Sequence, residues 1–156
     1  KFGPALAKAL IASGLMLPKR GTILLSISDR DKPEAVDMLI SLYRFGYTVY
    51  ATEGTADFIR GLGFEVITIP KRLNQGCPNV VDIIADGTVD AVINTVTGVR
   101  IVLQDGFAIR RAAADMRIPC FTSLDTARAA VESLIAVDDQ YNIKPLHEYL
   151  SGRPLQ

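Results

Sequence analysis

Short apolar runs alternate along this chain with stretches of helical periodicity, and that alternation most constrains its fold. Ile23-Leu24-Leu25, residues 47–51, residues 64–69, Ala91-Val92-Ile93 and Cys120-Phe121-Thr122 read as strands. Helices are expected from Pro33 to Gly46 and over residues 56–62, 80–85, 109–116 and 126–135. Ile23-Leu24-Leu25 is apolar at consecutive positions, which suits a strand covered on both faces. Strand following helix following strand requires crossover connections, and these are right-handed. The expected fold class is therefore α/β: a single three-layer, doubly wound domain around a central, mostly parallel five-stranded sheet.

Local signals place the boundaries. Pro33 suits the first turn of a helix, whose apolar stripe is Val36, Leu39, Ile40 and Tyr43. Gly46, Gly63 and Gly87 close three of the helices. Ahead of the first strand, residues 2–15 form an amphipathic pattern with Leu6, Ala9, Leu10 and Ala12 at helical spacing. Ser13-Gly14 ends it and Pro18 blocks its continuation. The expected organisation is a lead-in helix over residues 1–18, a compact domain over 19–137 and a polar tail over 138–156. That tail is either an edge cover or a loose end. Because the sequence opens on Lys1 rather than a methionine, the chain is expected to be a piece of something longer.

Composition narrows the class. At 156 residues, with 49% hydrophobic and 22% charged residues, the chain can bury a substantial core. Seventeen lysines and arginines balance 17 aspartates and glutamates, so no nucleic-acid face or polybasic membrane patch is expected. Cys77 and Cys120 make neither a disulfide framework nor a metal knuckle, and His147 alone cannot complete a zinc site. A reduced, cytoplasmic setting with no metal and no membrane span is the expectation.

Candidate chemistry gathers at strand ends. Thr52-Glu53-Gly54-Thr55 lies where a strand turns into a helix. A glycine there lets backbone approach a ligand, the helix start offers unpaired N–H groups, and the hydroxyls add donors. The same residues also suit a plain capping turn. Asn94-Thr95-Val96-Thr97-Gly98 follows another strand in a similar way, and Lys71 follows a third. Lys32, at a helix start, opposes the helix dipole, which favours a functional reason for it. Arg110-Arg111 reads more naturally as surface or subunit salt bridging. Cys77 has no nearby base in the sequence and reads as inert. Asp29, Asp82 and Asp105 form no evident acid/base pair. There is no Walker A loop and no G-x-G-x-x-G after a strand. What remains is an anion-binding edge without an obvious catalytic group.

Several ordered segments together carry a family resemblance: residues 2–18, Ser26 to Lys32, Ala51-Thr52-Glu53-Gly54-Thr55, residues 76–87, Ile93 to Gly98, Ile109-Arg110-Arg111-Ala112-Ala113, and Ile118-Pro119. Over nearly its whole length the chain resembles the carboxyl-terminal regulatory domain of the carbamoyl-phosphate synthetase large subunit, a methylglyoxal-synthase-like domain. The resemblance implies an allosteric role. In this family the domain binds UMP as inhibitor or IMP as activator, with ornithine acting at a separate place. The effectors tune carbamoyl phosphate synthesis for pyrimidine and arginine biosynthesis. It implies effector contacts at Lys32, Thr52, Thr55, Lys71, Asn94, Thr97 and Gly98, and Gly54 joins them on the physical argument above. No cofactor is expected in the domain itself; ATP, magnesium or manganese, and potassium belong to the full synthetase. The implied partners are the catalytic regions that the lead-in helix would join, the glutaminase small subunit, and further copies in a homo-oligomer.

Val96 stands where the family often has a hydroxyl, which bears on nucleotide preference. Two alternatives stay open. Methylglyoxal synthases share the fold, but their Gly-Gly-Asp-Gln segment, with the catalytic aspartate, corresponds here to Gly76-Cys77-Pro78, which has no carboxylate. Their downstream Asp-Pro pair is replaced by Thr97-Gly98. The other alternative is an oligomerisation module working through the helix that carries Arg110 to Met116.

Overall fold

A computed structural model describes residues 9–10, 12–71, 78–95 and 100–137. Most of the lead-in helix, the tail, Cys77, Val96, Thr97, Gly98 and His147 lie outside the described residues. Five strands form one sheet: β1 (Thr22–Ser26), β2 (Thr48–Thr52), β3 (Ile67–Ile69), β4 (Ala91–Asn94) and β5 (Cys120–Phe121). Their order is β3-β2-β1-β4-β5, and every pairing is parallel. The expected "mostly parallel" sheet is thus parallel throughout. The helices are α1 (Lys32–Arg44), α2 (Glu53–Gly61), α3 (Val80–Ala85), α4 (Arg100–Asp115) and α5 (Leu124–Val137). A short 3-10 turn, Asp29–Asp31, leads into α1.

Two apolar clusters show how the sequence builds three layers. Ile23 and Leu25 of β1 face a cluster with Leu39 and Leu42 of α1, Ile59 of α2, and Ala127 and Val131 of α5. Leu24 points to the opposite face, where Ile83 and Ile84 of α3 and Ile109 and Ala113 of α4 meet Val92. Ile23, Leu24 and Leu25 are all fully buried, as their unbroken apolar run requires. Deep burial at about 25 cal/mol per Å² of apolar surface is the main force holding helices to sheet.

Most boundaries fall within two residues of expectation, and three differ by more. β3 begins at Ile67 rather than at 64, because Phe64 instead stacks on Tyr43 at 4.4 Å and packs against the core from outside the ladder. α2 begins at Glu53 rather than 56, with extended Thr52 as its N-cap. α4 begins at Arg100 rather than 109, so Gly106 falls within a helix. At the amino end of the sheet, Thr22 N–H donates to the Asp90 carboxylate at 2.8 Å. A Cβ on Gly21 would run into that carboxylate and would have to displace it.

The chain leaves β1 towards β2 and leaves β4 towards β5, in opposite directions across the sheet. The carboxyl ends of adjacent β1 and β4 therefore flank the crevice where ligands collect in folds of this type.

Candidate functional site

Beyond the carboxyl ends of β1, β2 and β4 lies a cavity of about 210 Å³ lined by Ser26, Ile27, Ser28, Asp29, Lys32, Thr52, Glu53, Gly54, Thr55, Lys71 and Thr95. Five of the residues singled out from sequence, Lys32, Thr52, Gly54, Thr55 and Lys71, share it. Asn94 does not line it: its side chain is buried and donates from Nδ2 to the Gly106 carbonyl at 3.1 Å. In this structure Asn94 ties β4 to α4. Thr97 and Gly98 are outside the described residues.

Hydroxyl groups build the floor. Thr55 is 2% exposed, and its Oγ1 accepts the Ile27 N–H at 3.0 Å. Thr52 Oγ1 lies 3.4 Å from both Ser26 Oγ and Thr55 Oγ1. Thr95 Oγ1 accepts the Ser28 N–H at 2.9 Å. The segment after β1 is thus held from both sides, by a threonine of α2 and by one following β4. The threonines have a structural duty beside any ligand contact. Sequence reasoning missed Thr95, Ser26 and Ser28 as lining residues, although the strand-end segments containing them were already in view.

Charge lies at the rim. Lys32 Nζ donates to the Gly54 carbonyl at 2.6 Å and pairs with Asp29 Oδ1 at 2.6 Å. Its side chain is only 15% exposed, whereas that of Asp29 is 94% exposed. The Lys32 hydrogen bond, and then its charge, hold the Asp29 carboxyl below the usual carboxylate range. The neighbouring Asp31 is also lowered, chiefly by the hydrogen bond from Ser28 Oγ at 2.7 Å. The unfavourable place of Lys32 at a helix start is offset by the Gly54 carbonyl and the Asp29 carboxylate. On the other side, Lys71 N–H donates to Glu53 Oε2 at 3.3 Å.

The arrangement suits an oxyanion. α2 starts at the cavity wall with Glu53, and the first N–H groups of a helix have no partner within it. Two lysines and four buried hydroxyl-bearing residues share the lining with Asp29 and Glu53. The volume is below the roughly 300–1,000 Å³ of pockets that enclose drug-sized ligands, and fits a phosphate-sized head group with the rest outside. Two larger cavities, about 360 Å³ between α1 and α5 and about 650 Å³ beside β2 and β3, contain none of the candidate residues. Chemistry, not size, selects the smaller one. No group of three or more potential metal ligands occurs among the described residues. Nor is any described helix long and apolar enough to cross a membrane.

Known proteins agree with this architecture. The carbamoyl phosphate synthase large chain, C-terminal section, of Methanopyrus kandleri is 40% identical over 97% of this chain and 28% of its own length. The large chain of the same synthase from Thermomicrobium roseum is 41% identical over 95% of this chain and 14% of its own length. The present chain thus spans under a third of either relative. Among solved structures, methylglyoxal synthase from Elizabethkingia anophelis superposes with a TM-score of 0.58, covering 90% of this chain and 95% of that one. At 19% identity, that likeness speaks for the fold alone. The MGS-like domain model matches residues 34–122, from the start of α1 to the end of β5. With that match spanning more than half its length, the chain belongs to the MGS-like domain family.

Proposed function

We propose that this chain is the effector-binding, regulatory section of a carbamoyl-phosphate synthetase large chain, and that its cavity takes the phosphate of a nucleoside monophosphate such as UMP or IMP. The observation that carries this reading is the meeting of Lys32, Lys71 and the start of α2 around one small polar cavity. Two hydrogen-bonding cations and a helix N-terminus favour a dianion, and charge-assisted bonds of this kind are stronger than neutral ones. The relatives that match nearly all of this chain are large chains of that synthase, which supplies the second support.

Regulation then requires only that the nucleotide bind one conformation of the whole synthetase better than another. A coupling of about 1–3 kcal/mol gives a roughly fivefold to hundredfold effect. Contacts with the catalytic regions, a glutaminase subunit and further copies belong to the same proposal. The enzymatic alternative has weaker support, because Gly76-Cys77-Pro78 carries no carboxylate where methylglyoxal synthases have their catalytic aspartate.

Calorimetric titration of the chain with UMP and with IMP tests the reading. Saturable heat with either nucleotide is expected, and no heat at millimolar concentration rejects it. Release of methylglyoxal from dihydroxyacetone phosphate would instead favour catalysis.

A further inference from the structure

The Asp29–Lys32 ion pair raises a question that the proposed anion site leaves open. The Lys32 side chain is 15% exposed, and its ammonium group reaches the Gly54 carbonyl at the start of α2. A lysine ammonium has three donors. Two are taken by Gly54 and Asp29, both at 2.6 Å. The Asp29 side chain is 94% exposed and forms its ion pair with Lys32. It therefore lies at the mouth of the cavity, presenting one carboxylate oxygen to the cation that an incoming anion would use.

We infer that Asp29 is a built-in competitor for the anion seat: its carboxylate occupies Lys32 when the cavity is empty and gives way when a phosphate group arrives. This inference rests on the anion-binding reading of the cavity. Two physical effects act in the same direction. An arriving phosphate finds one unclaimed Lys32 donor and gains a second only by displacing Asp29. A carboxylate left nearby then repels the phosphate, and a dianion is repelled more than a monoanion. Without Asp29, a largely buried ammonium would keep the Gly54 carbonyl but lack a counter-charge, which is costly. The pair thus keeps the empty site self-satisfied and lowers its affinity for anions.

Selectivity follows from the same geometry. A monoanion that displaces Asp29 exchanges one negative charge for another and gains little. A phosphate dianion carries further charge and acceptors towards the α2 N–H groups and Lys71. The favoured ligand is a phosphate monoester in its dianionic form, not a carboxylate. Because Asp29 is solvent-exposed, it can swing into water without disturbing the core, and its ion pair is worth only a modest factor.

The test is titration of the chain with inorganic phosphate and with UMP, followed by calorimetry, in the parent sequence, Asp29→Asn, Lys32→Ala and Asp29→Asn combined with Lys32→Ala. Asp29→Asn is expected to bind both anions about two- to fivefold more tightly than the parent, the range expected for releasing an exposed ion pair. In a Lys32→Ala background the same change should give a clearly smaller gain, because the donor being contested is gone. Matching far-ultraviolet spectra and melting curves would establish that the variants are folded. Unchanged or weaker binding by Asp29→Asn overturns the inference, showing that Asp29 orients Lys32 and does not compete. An equal gain without Lys32 also overturns it, reducing the effect to net charge. If the parent binds neither anion, the anion-binding reading itself falls and takes this inference with it; parent binding with an unresponsive Asp29→Asn removes the inference alone.

Discussion

At the scale of single residues, Thr55 carries the most structure in the least volume. Its hydroxyl accepts the Ile27 N–H at 3.0 Å and lies 3.3 Å from the Ile27 carbonyl, linking the start of α2 to the segment that leaves β1. Valine has nearly the same shape but no acceptor. Thr55→Val would leave a buried N–H unpaired, which costs about 1–3 kcal/mol. Urea denaturation should show a lower midpoint with an unchanged slope, while Thr55→Ser should retain most of the stability. The sequence made Thr55 visible as a hydroxyl at a strand-to-helix junction, but not as the clamp on Ile27. That contact joins residues 28 positions apart, and only the parallel pairing of β1 with β2 brings them together. Lys32 teaches the same lesson. Its mismatch with the helix dipole could be read locally, whereas its bond to Gly54 could not.

At the scale of elements, the strands with unbroken apolar runs were the most legible. β1 and β4 are buried on both faces, so their residue types alone declare them. Boundaries were less so. Phe64 has strand-like chemistry, yet stacking on Tyr43 holds it out of β3. The amino half of α4 was missed because Gly106 weakens helix propensity there, and packing of the helix against α3 and β4 overrides it. α3 shows the opposite case, in which a short helix is fixed by local chemistry. It has six residues, and Asn79 caps it: its Oδ1 accepts from Val81 N–H at 2.9 Å and Asp82 N–H at 3.3 Å. Asp82 returns the favour by accepting the Asn79 N–H at 2.9 Å. A helix this short has little cooperativity of its own, so its cap matters more than usual. Asn79→Ala should destabilise the chain by about 0.5–2 kcal/mol in denaturant titrations. Nucleotide affinity should change far less, since Asn79 is not among the cavity residues.

At the scale of the whole molecule, the site is a junction rather than a pocket within one element. Its lining comes from the ends of β1 and β2, the starts of α1 and α2, Lys71 two residues past β3 and Thr95 directly after β4. A phosphate bound there would bridge segments that otherwise meet through a few hydroxyls, and it would bind only the folded chain. Ligand at about 100 times its dissociation constant then adds about 2.7 kcal/mol to stability. For a chain of this size, each kcal/mol moves the melting temperature by roughly 2–4 °C, so UMP or IMP at that level should raise it by on the order of 5–10 °C. Lys71 supplies the sharper test. It lines the cavity, and its backbone rather than its ammonium group makes the recorded bond to Glu53. Lys71→Ala should therefore leave the melting temperature of the empty chain nearly unchanged while shrinking the nucleotide-induced rise. Differential scanning calorimetry with and without nucleotide separates these effects. A lower melting temperature without nucleotide, with an undiminished rise in its presence, would mark Lys71 as a scaffold residue and move the cation that meets the phosphate back to Lys32.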